Sequence, residues 1–230
     1  MKDSNRLRLH EEILLLGLRD EKGTVAGNVW MNYALGGAIL AELIVDGRLK
    51  VDVEGKKKFA RVTSPRRMRD PVLGECLAKV RDAKRRARLE TWVSRFASVK
   101  KLKERVAEDL CRTGILRAEE DKVLLIFSRK TYPEMNPVPE REIIARLRQA
   151  IFTKTREIDA RTAILVSLAD STGILRATFD KKRLKKAKDR IEEIRSGDLT
   201  QGATKAAIEA AQAVILMTAI MPAVYSAATH

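Results

Sequence analysis

Apolar positions along the chain follow helical spacing in most places and a period of two in two short stretches. Leu9 to Leu18 opens a helix, closed by Asp20 and Gly23. Asn28 to Val45 predicts a second helix, with WMNYALGGAILAELIV as its text. A helix that is apolar on every side belongs in a core, so this is the expected central helix. Gly47 stands where a left-handed cap would end it. The text RLKVDV-EG-KKKFARV then alternates on both sides of Glu54-Gly55, which signals a β-hairpin. Pro71 to Arg86 and Leu89 to Phe96 read as helices. Lys100 to Thr113 is a stronger one, because Leu102, Val106 and Leu110 share a face and Gly114 closes it.

A second hairpin is expected over 115–131, from Ile115-Leu116 into the unbroken apolar run Val123 to Phe127. That run, without alternation, fits a strand buried on both faces. The loop 132–139 carries Pro133, Pro137 and Pro139 and is the best candidate for an internal boundary. Further helices are expected at about 140–153, 159–170, 180–195 and 203–227. A glycine followed by an apolar pair recurs at Gly114-Ile115-Leu116 and Gly173-Ile174-Leu175, with Gly47-Arg48-Leu49 as a variant. Each marks a helix end turning into a new element. The expectation is a mainly α fold. A single compact helical domain over 1–230 would hold a buried apolar central helix and two small β-hairpins.

Between Ala206 and Ala228 only Glu209 and Gln212 are strongly polar. A spanning helix needs about 20 predominantly apolar residues. The densest run here, Ala213 to Met221, is too short, so a buried helix is the expectation. The amino-terminal text lacks the apolar run of a secretory signal.

Charge changes the picture most. The chain of 230 residues has 46 Lys+Arg against 31 Asp+Glu, a surplus of +15. Such a chain is drawn to polyanions, of which nucleic acids and anionic membrane surfaces are the common ones. Cys76 and Cys111 form neither a disulfide framework nor a zinc pattern, and they agree with a reducing cytosol. With two histidines, one at the last position, little is left for a metal centre, and none is expected.

The basic residues fall into three groups: Arg81 to Arg88, Lys100 to Arg105, and Lys181 to Arg190. The third reads as the solvated face of an amphipathic helix. The second is more informative. Lys100 and Lys103 are three apart and share a face of the expected helix. They also lie in its first turn, where cations oppose the helix dipole. Positive side chains beside free backbone N–H groups suit a bound anion.

A helix followed by a hairpin, at 35–63 and at 99–128, is also the text of a winged-helix nucleic-acid binder. Ile39, Leu40, Leu43, Ile44 and Val45 offer a groove no base-reading side chain, which disfavours that reading. An enzyme is disfavoured too. Glu11 and Glu12 are adjacent and point to different faces, HEE is not the HExxH zinc pattern, and no phosphate-binding glycine loop occurs. Gly36-Gly37 sits inside a helix, where it permits close helix packing. No cofactor is indicated.

The blocks LRLHEEILLLGLRDEKG, YALGGAILAELIVDGRL and KERVAEDLCRTGIL, with ILVSLADSTGIL further on, resemble the Golgi phosphoprotein 3 family from about Leu7 to the last helix. The resemblance implies a mainly helical domain with a buried central helix and small hairpins. It implies a non-enzymatic peripheral membrane protein that binds phosphatidylinositol 4-phosphate. Such a protein would act as an adaptor for the cytosolic tails of membrane proteins, on the cytosolic face of the Golgi in a eukaryotic host. The two basic pocket positions at the start of one helix fall on Lys100 and Lys103. The family's pocket Arg falls on Gly36 and its Trp near Gly27, with Trp30 as the nearest tryptophan. Those departures and the short amino-terminal tail resemble a prokaryotic-type member. The resemblance also implies homo-association through the 115–131 hairpin.

Overall fold

The computed structural model describes residues 6–18, 28–123, 127–155 and 158–196, apart from the side chains of 28–30, 121–123 and 127–129. The expected helix 203–227 and the segment 206–228 lie outside the described residues, as do Asp20 and Gly23. The described residues form ten helices and two antiparallel two-stranded sheets, so the fold is mainly α as the patterning predicts.

Helix α1 (Leu9–Gly17) and helix α2 (Asn28–Val45) pack against each other at the centre. Ala34, Leu35, Ala38, Ile39, Leu40, Ala41 and Leu43 of α2 are all fully buried. Gly47 then takes φ +64°, and the Arg48 and Gly47 amides donate to the Leu43 and Ile44 carbonyls. That is a left-handed helix closure, as expected. Strands β1 (Leu49–Glu54) and β2 (Lys57–Val62) pair from Leu49↔Val62 to Glu54↔Lys57.

Helix α3 (Pro71–Arg81) starts from Asp70, whose carboxylate accepts from the amides of Val72 and Leu73 at 2.8 and 2.9 Å. Proline at the first helical position completes a well-formed start. The helix ends at Arg81, five residues short of the expected end. Beyond it Arg86 is drawn to Glu54 and lies 4.5 Å over the Phe59 ring, which pulls the chain across the first hairpin.

Helices α4 (Leu89–Ala97) and α5 (Leu102–Arg112) follow. Trp92, Val93 and Phe96 of α4 and Leu102, Val106 and Leu110 of α5 are buried. Strands β3 (Glu119–Val123) and β4 (Phe127–Thr131) form the second hairpin. Val123 pairs with Phe127, so the apolar run is divided between two strands and does not form one. Residues 124–126 lie outside the described residues. The proline-bearing segment is tied back to the chain after α5. Tyr132 is buried, and the amides of Met135 and Arg117 donate to the carbonyls of Ile115 and Pro133.

Helices α6 (Val138–Phe152) and α7 (Ala160–Ser171) come close to their expected spans. A short helix, α8 (Ile174–Thr178), follows Gly173 and is the new element that the Gly173-Ile174-Leu175 pattern marks. The expected helix 180–195 is two, α9 (Lys181–Lys186) and α10 (Lys188–Ser196), with the first closing at Ala187. Buried apolar side chains from Leu9 to Ile194 make one cluster.

Candidate functional site

The turn between α4 and α5 carries three consecutive positions of interest, Lys100, Lys101 and Leu102. The expectation that Lys100 begins the helix is corrected. The helix starts at Leu102, and Lys101 stands before it as the cap, at φ 53° and ψ 38°. Left-handed backbone is rare outside glycine and costs on the order of 1 kcal/mol. Lys101 is the one such non-glycine residue among those described. The reason it is held there is local. The amide of Leu102 donates to the Val99 carbonyl at 3.2 Å, and the amide of Arg105 to the Lys101 carbonyl at 2.9 Å. Buried Val99 and Leu102 anchor both ends of the turn.

Lys100 and Lys101 are exposed, and Lys103 is half-buried in the first turn of α5. The Lys101 side chain makes no capping hydrogen bond to the helix start. The outcome differs from two lysines on one helix face: cations on a tight turn flank an uncapped helix start. Glu104 in the same turn offsets part of the dipole cost that the lysines impose. Arg105, next along, is committed elsewhere. It donates to Glu75 of α3 at 2.6 Å, and that bond, with burial opposing it, holds the Glu75 carboxyl below its usual range.

Gly36 of α2 packs against α4, the helix that leads into this turn. A β-carbon there would stand 2.6 Å from the Val93 carbonyl oxygen and 2.9 Å from the Ala97 amide nitrogen. Both are backbone atoms of α4, so Gly36 permits the close helix packing expected of it. A side chain at 36 has no room unless α4 moves. Trp30 is the third residue of α2, and its side chain lies outside the described residues.

The interior holds a second set of charged groups. His10 and Glu12 of the HEE text are buried and have partners. Glu42, the acidic residue in the apolar central helix, receives Arg161 of α7 through two bonds of 2.9 Å. It also accepts from the Leu9 amide at 2.8 Å. Glu12 accepts from Arg146 at 2.8 Å. Burial pushes the Glu12 carboxyl up, even though Arg146 draws it down. His10 Nε2 lies 3.0 Å from Asp70, with both side chains buried. Burial opposes a charge on His10, but the Asp70 bond and the charges of Asp70, Glu11 and Glu42 outweigh it and raise the imidazole. Burial likewise works against the Asp70 carboxylate. The His10 bond and charge, the Leu73 amide and Arg8 overcome that and hold it at about 2.

These groups tie α1, α2, α3, α6 and α7 together. His10, Glu12 and Glu42 are no more than 2% exposed. Burial pushes the Cys76 thiol up to about 12, which keeps it protonated at neutral pH. Among the described residues no three His, Cys, Asp or Glu side chains converge as a metal site would need, and no helix is long and apolar enough to cross a membrane. The winged-helix reading of 35–63 fails on burial, because α2 lies in the core and cannot enter a groove.

The family model for Golgi phosphoprotein 3 (GPP34) matches residues 9–211. Vacuolar protein sorting-associated protein 74 of Schizosaccharomyces pombe is 27% identical over 173 residues, 67% of this chain and 51% of that protein. The chain thus spans about half the length of the curated relative it matches. The family match takes in the central helix, both hairpins and the α4–α5 turn, and the chain belongs to the Golgi phosphoprotein 3 family.

Proposed function

We propose that this protein is a non-enzymatic peripheral membrane protein that holds anionic lipid head groups at the α4–α5 turn, with Lys100 and Lys103 as the contacting residues. The observation that carries the reading is the turn itself. Lysines crowd an uncapped helix start on a backbone bent into the left-handed region at Lys101. An anion relieves that crowding of positive charge at the helix start. The surplus of +15 adds long-range attraction to an anionic leaflet. Each Lys or Arg near such a surface contributes about 1 kcal/mol.

Family membership supports phosphatidylinositol 4-phosphate as one head group, an adaptor role toward the tails of membrane proteins, and a place on the cytosolic face of the Golgi in a eukaryotic host. Homo-association through the 115–131 hairpin belongs to the same proposal. Gly36 argues for a reduced pocket. Lysine also lacks the fork with which arginine grips a phosphate. The binding proposed is therefore governed more by charge than by head-group shape, with Trp30 at most a minor contributor.

Co-sedimentation with vesicles tests this, using phosphatidylserine and phosphatidylinositol 4-phosphate at matched surface charge, each at low and at physiological salt. The expected outcome is binding to both, no more than a few-fold apart, and falling steeply with salt. Strong preference for the phosphoinositide would contradict the reduced pocket. Absence of binding to either would overturn the membrane reading and promote nucleic acid as the polyanion.

A further inference from the structure

The cationic run from Lys181 to Arg190 reads in sequence as a solvated face, and the structure divides it. Where α9 closes and α10 begins, the chain folds over the carboxy-terminal end of α6. A cavity of about 510 Å³ opens there, with Phe152, Lys154, Arg183, Lys186, Arg190 and Glu193 in its lining. Lys181, Lys185 and Lys188 line a separate opening of about 600 Å³. Lys182 lines neither.

The cations of the first cavity have different tasks. Arg190 is structural. It donates to the carbonyl of Ala150 at 3.2 Å and to that of Thr155, and pairs with Glu193 at 3.3 Å. It therefore answers the negative end of α6, which would otherwise repel an anion. Arg183 lies 4.7 Å over the Phe152 ring, and Phe152 is itself held edge-on by Phe179 at 5.3 Å. Stacking uses the face of a guanidinium and leaves its N–H edges available for a bidentate bond. Among the described residues Arg183, Lys186 and Lys154 have no acidic partner, and the lining of four cations and one carboxylate keeps a surplus of three positive charges.

We propose that this cleft binds a phosphate monoester dianion, with Arg183 as the fork and Lys186 and Lys154 as flanking point charges. Two negative charges on one compact group match this surplus better than a carboxylate or a phosphodiester does. The same chemistry occurs on soluble phosphorylated metabolites and on lipids with a terminal phosphate. Glycerol 3-phosphate and phosphatidic acid present it in those two forms.

The test is titration calorimetry of the full chain with glycerol 3-phosphate, alongside sedimentation with phosphatidylcholine vesicles with and without phosphatidic acid. Arg183→Glu and Lys186→Glu are compared with Lys182→Glu, which makes the same charge change on the same exposed helix. The expected result is saturable binding that Arg183→Glu and Lys186→Glu each weaken at least tenfold, while Lys182→Glu changes it less than twofold. That pattern in solution alone assigns a soluble phosphate, and the pattern on vesicles assigns a lipid head group. Equal weakening by all three variants would overturn the proposal, because a diffuse field would then suffice. So would absence of binding in both arms. The solution arm contains no bilayer, so its outcome is independent of the membrane reading.

Discussion

The α4–α5 turn and helix α9 are both rich in lysine, yet they stand on different foundations. The turn is fixed from below. Val99 and Leu102 are buried, α4 presses its backbone against Gly36, and Lys101 is held at a costly φ. Helix α9 has six residues and none of them is buried, with only Leu184 partly packed on the core. Charge density is greater on α9, and positional definition is greater at the turn. A cluster of cations becomes a site when buried neighbours or a cavity fix where the charges stand. At the turn the core does this. On α9 the cleft shared with Phe152 does it for Arg183 and Lys186, while Lys182 stays plain surface.

The largest way to break the comparison is to attack the foundation of the turn. Gly36→Arg places a side chain against the Val93 carbonyl and the Ala97 amide. Overpacking of this kind should cost about 3 kcal/mol, read as a lowered denaturant midpoint. It should also weaken vesicle binding at the turn while leaving glycerol 3-phosphate binding at α9 within twofold. Unchanged stability with tighter lipid binding would show that α2 and α4 can part to rebuild a fuller pocket.

A smaller effect comes from the buried pair that joins α1 to the start of α3. The raised His10 contributes stability that is complete below its usual value of 6.5 and is lost as pH rises through its folded value. The lowered Asp70 contributes stability that is complete above its usual 3.8 and is lost as pH falls toward about 2. Together they favour a window from about pH 4 to about pH 6.5. His10→Asn should cost roughly 2–4 kcal/mol at pH 5.5, because Asp70 is left buried without its partner. The gap between variant and parent should narrow at pH 9. Urea denaturation at the two pH values measures it, and a pH-independent gap would show that the pair is not ionised.

Much of this scaffold is legible in the sequence. The central helix announces itself by being apolar on every side, and its ends fall at Asn28 and Val45 as read. The caps at Gly47, Gly114 and Gly173 are visible because each takes positive φ, which glycine alone adopts cheaply. The first hairpin follows from alternation on both sides of Glu54-Gly55.

What escapes local reading depends on distant partners. Arg161 and Glu42 are 119 positions apart, and nothing near either one signals the other. Past the early end of α3, Arg86 meets Glu54 and Phe59 of the first hairpin, and the start of α5 is displaced by a left-handed lysine that spacing rules do not foresee. At the α9 cleft the charges are plain in the sequence. Their convergence on Phe152 requires the chain to turn at Ala187, and an amphipathic reading carries straight through that point.

In the function proposed for this protein, the α4–α5 turn and not bulk charge meets the membrane. The measurement that tests it most directly is vesicle co-sedimentation of Lys100→Glu/Lys103→Glu against Lys181→Glu/Lys182→Glu, at one lipid composition and one salt concentration. Both pairs make the same change in net charge. Reversal at the turn should weaken binding at least tenfold, and reversal on α9 no more than about threefold. Equal losses from the two pairs would contradict it and leave net charge alone as the cause of binding.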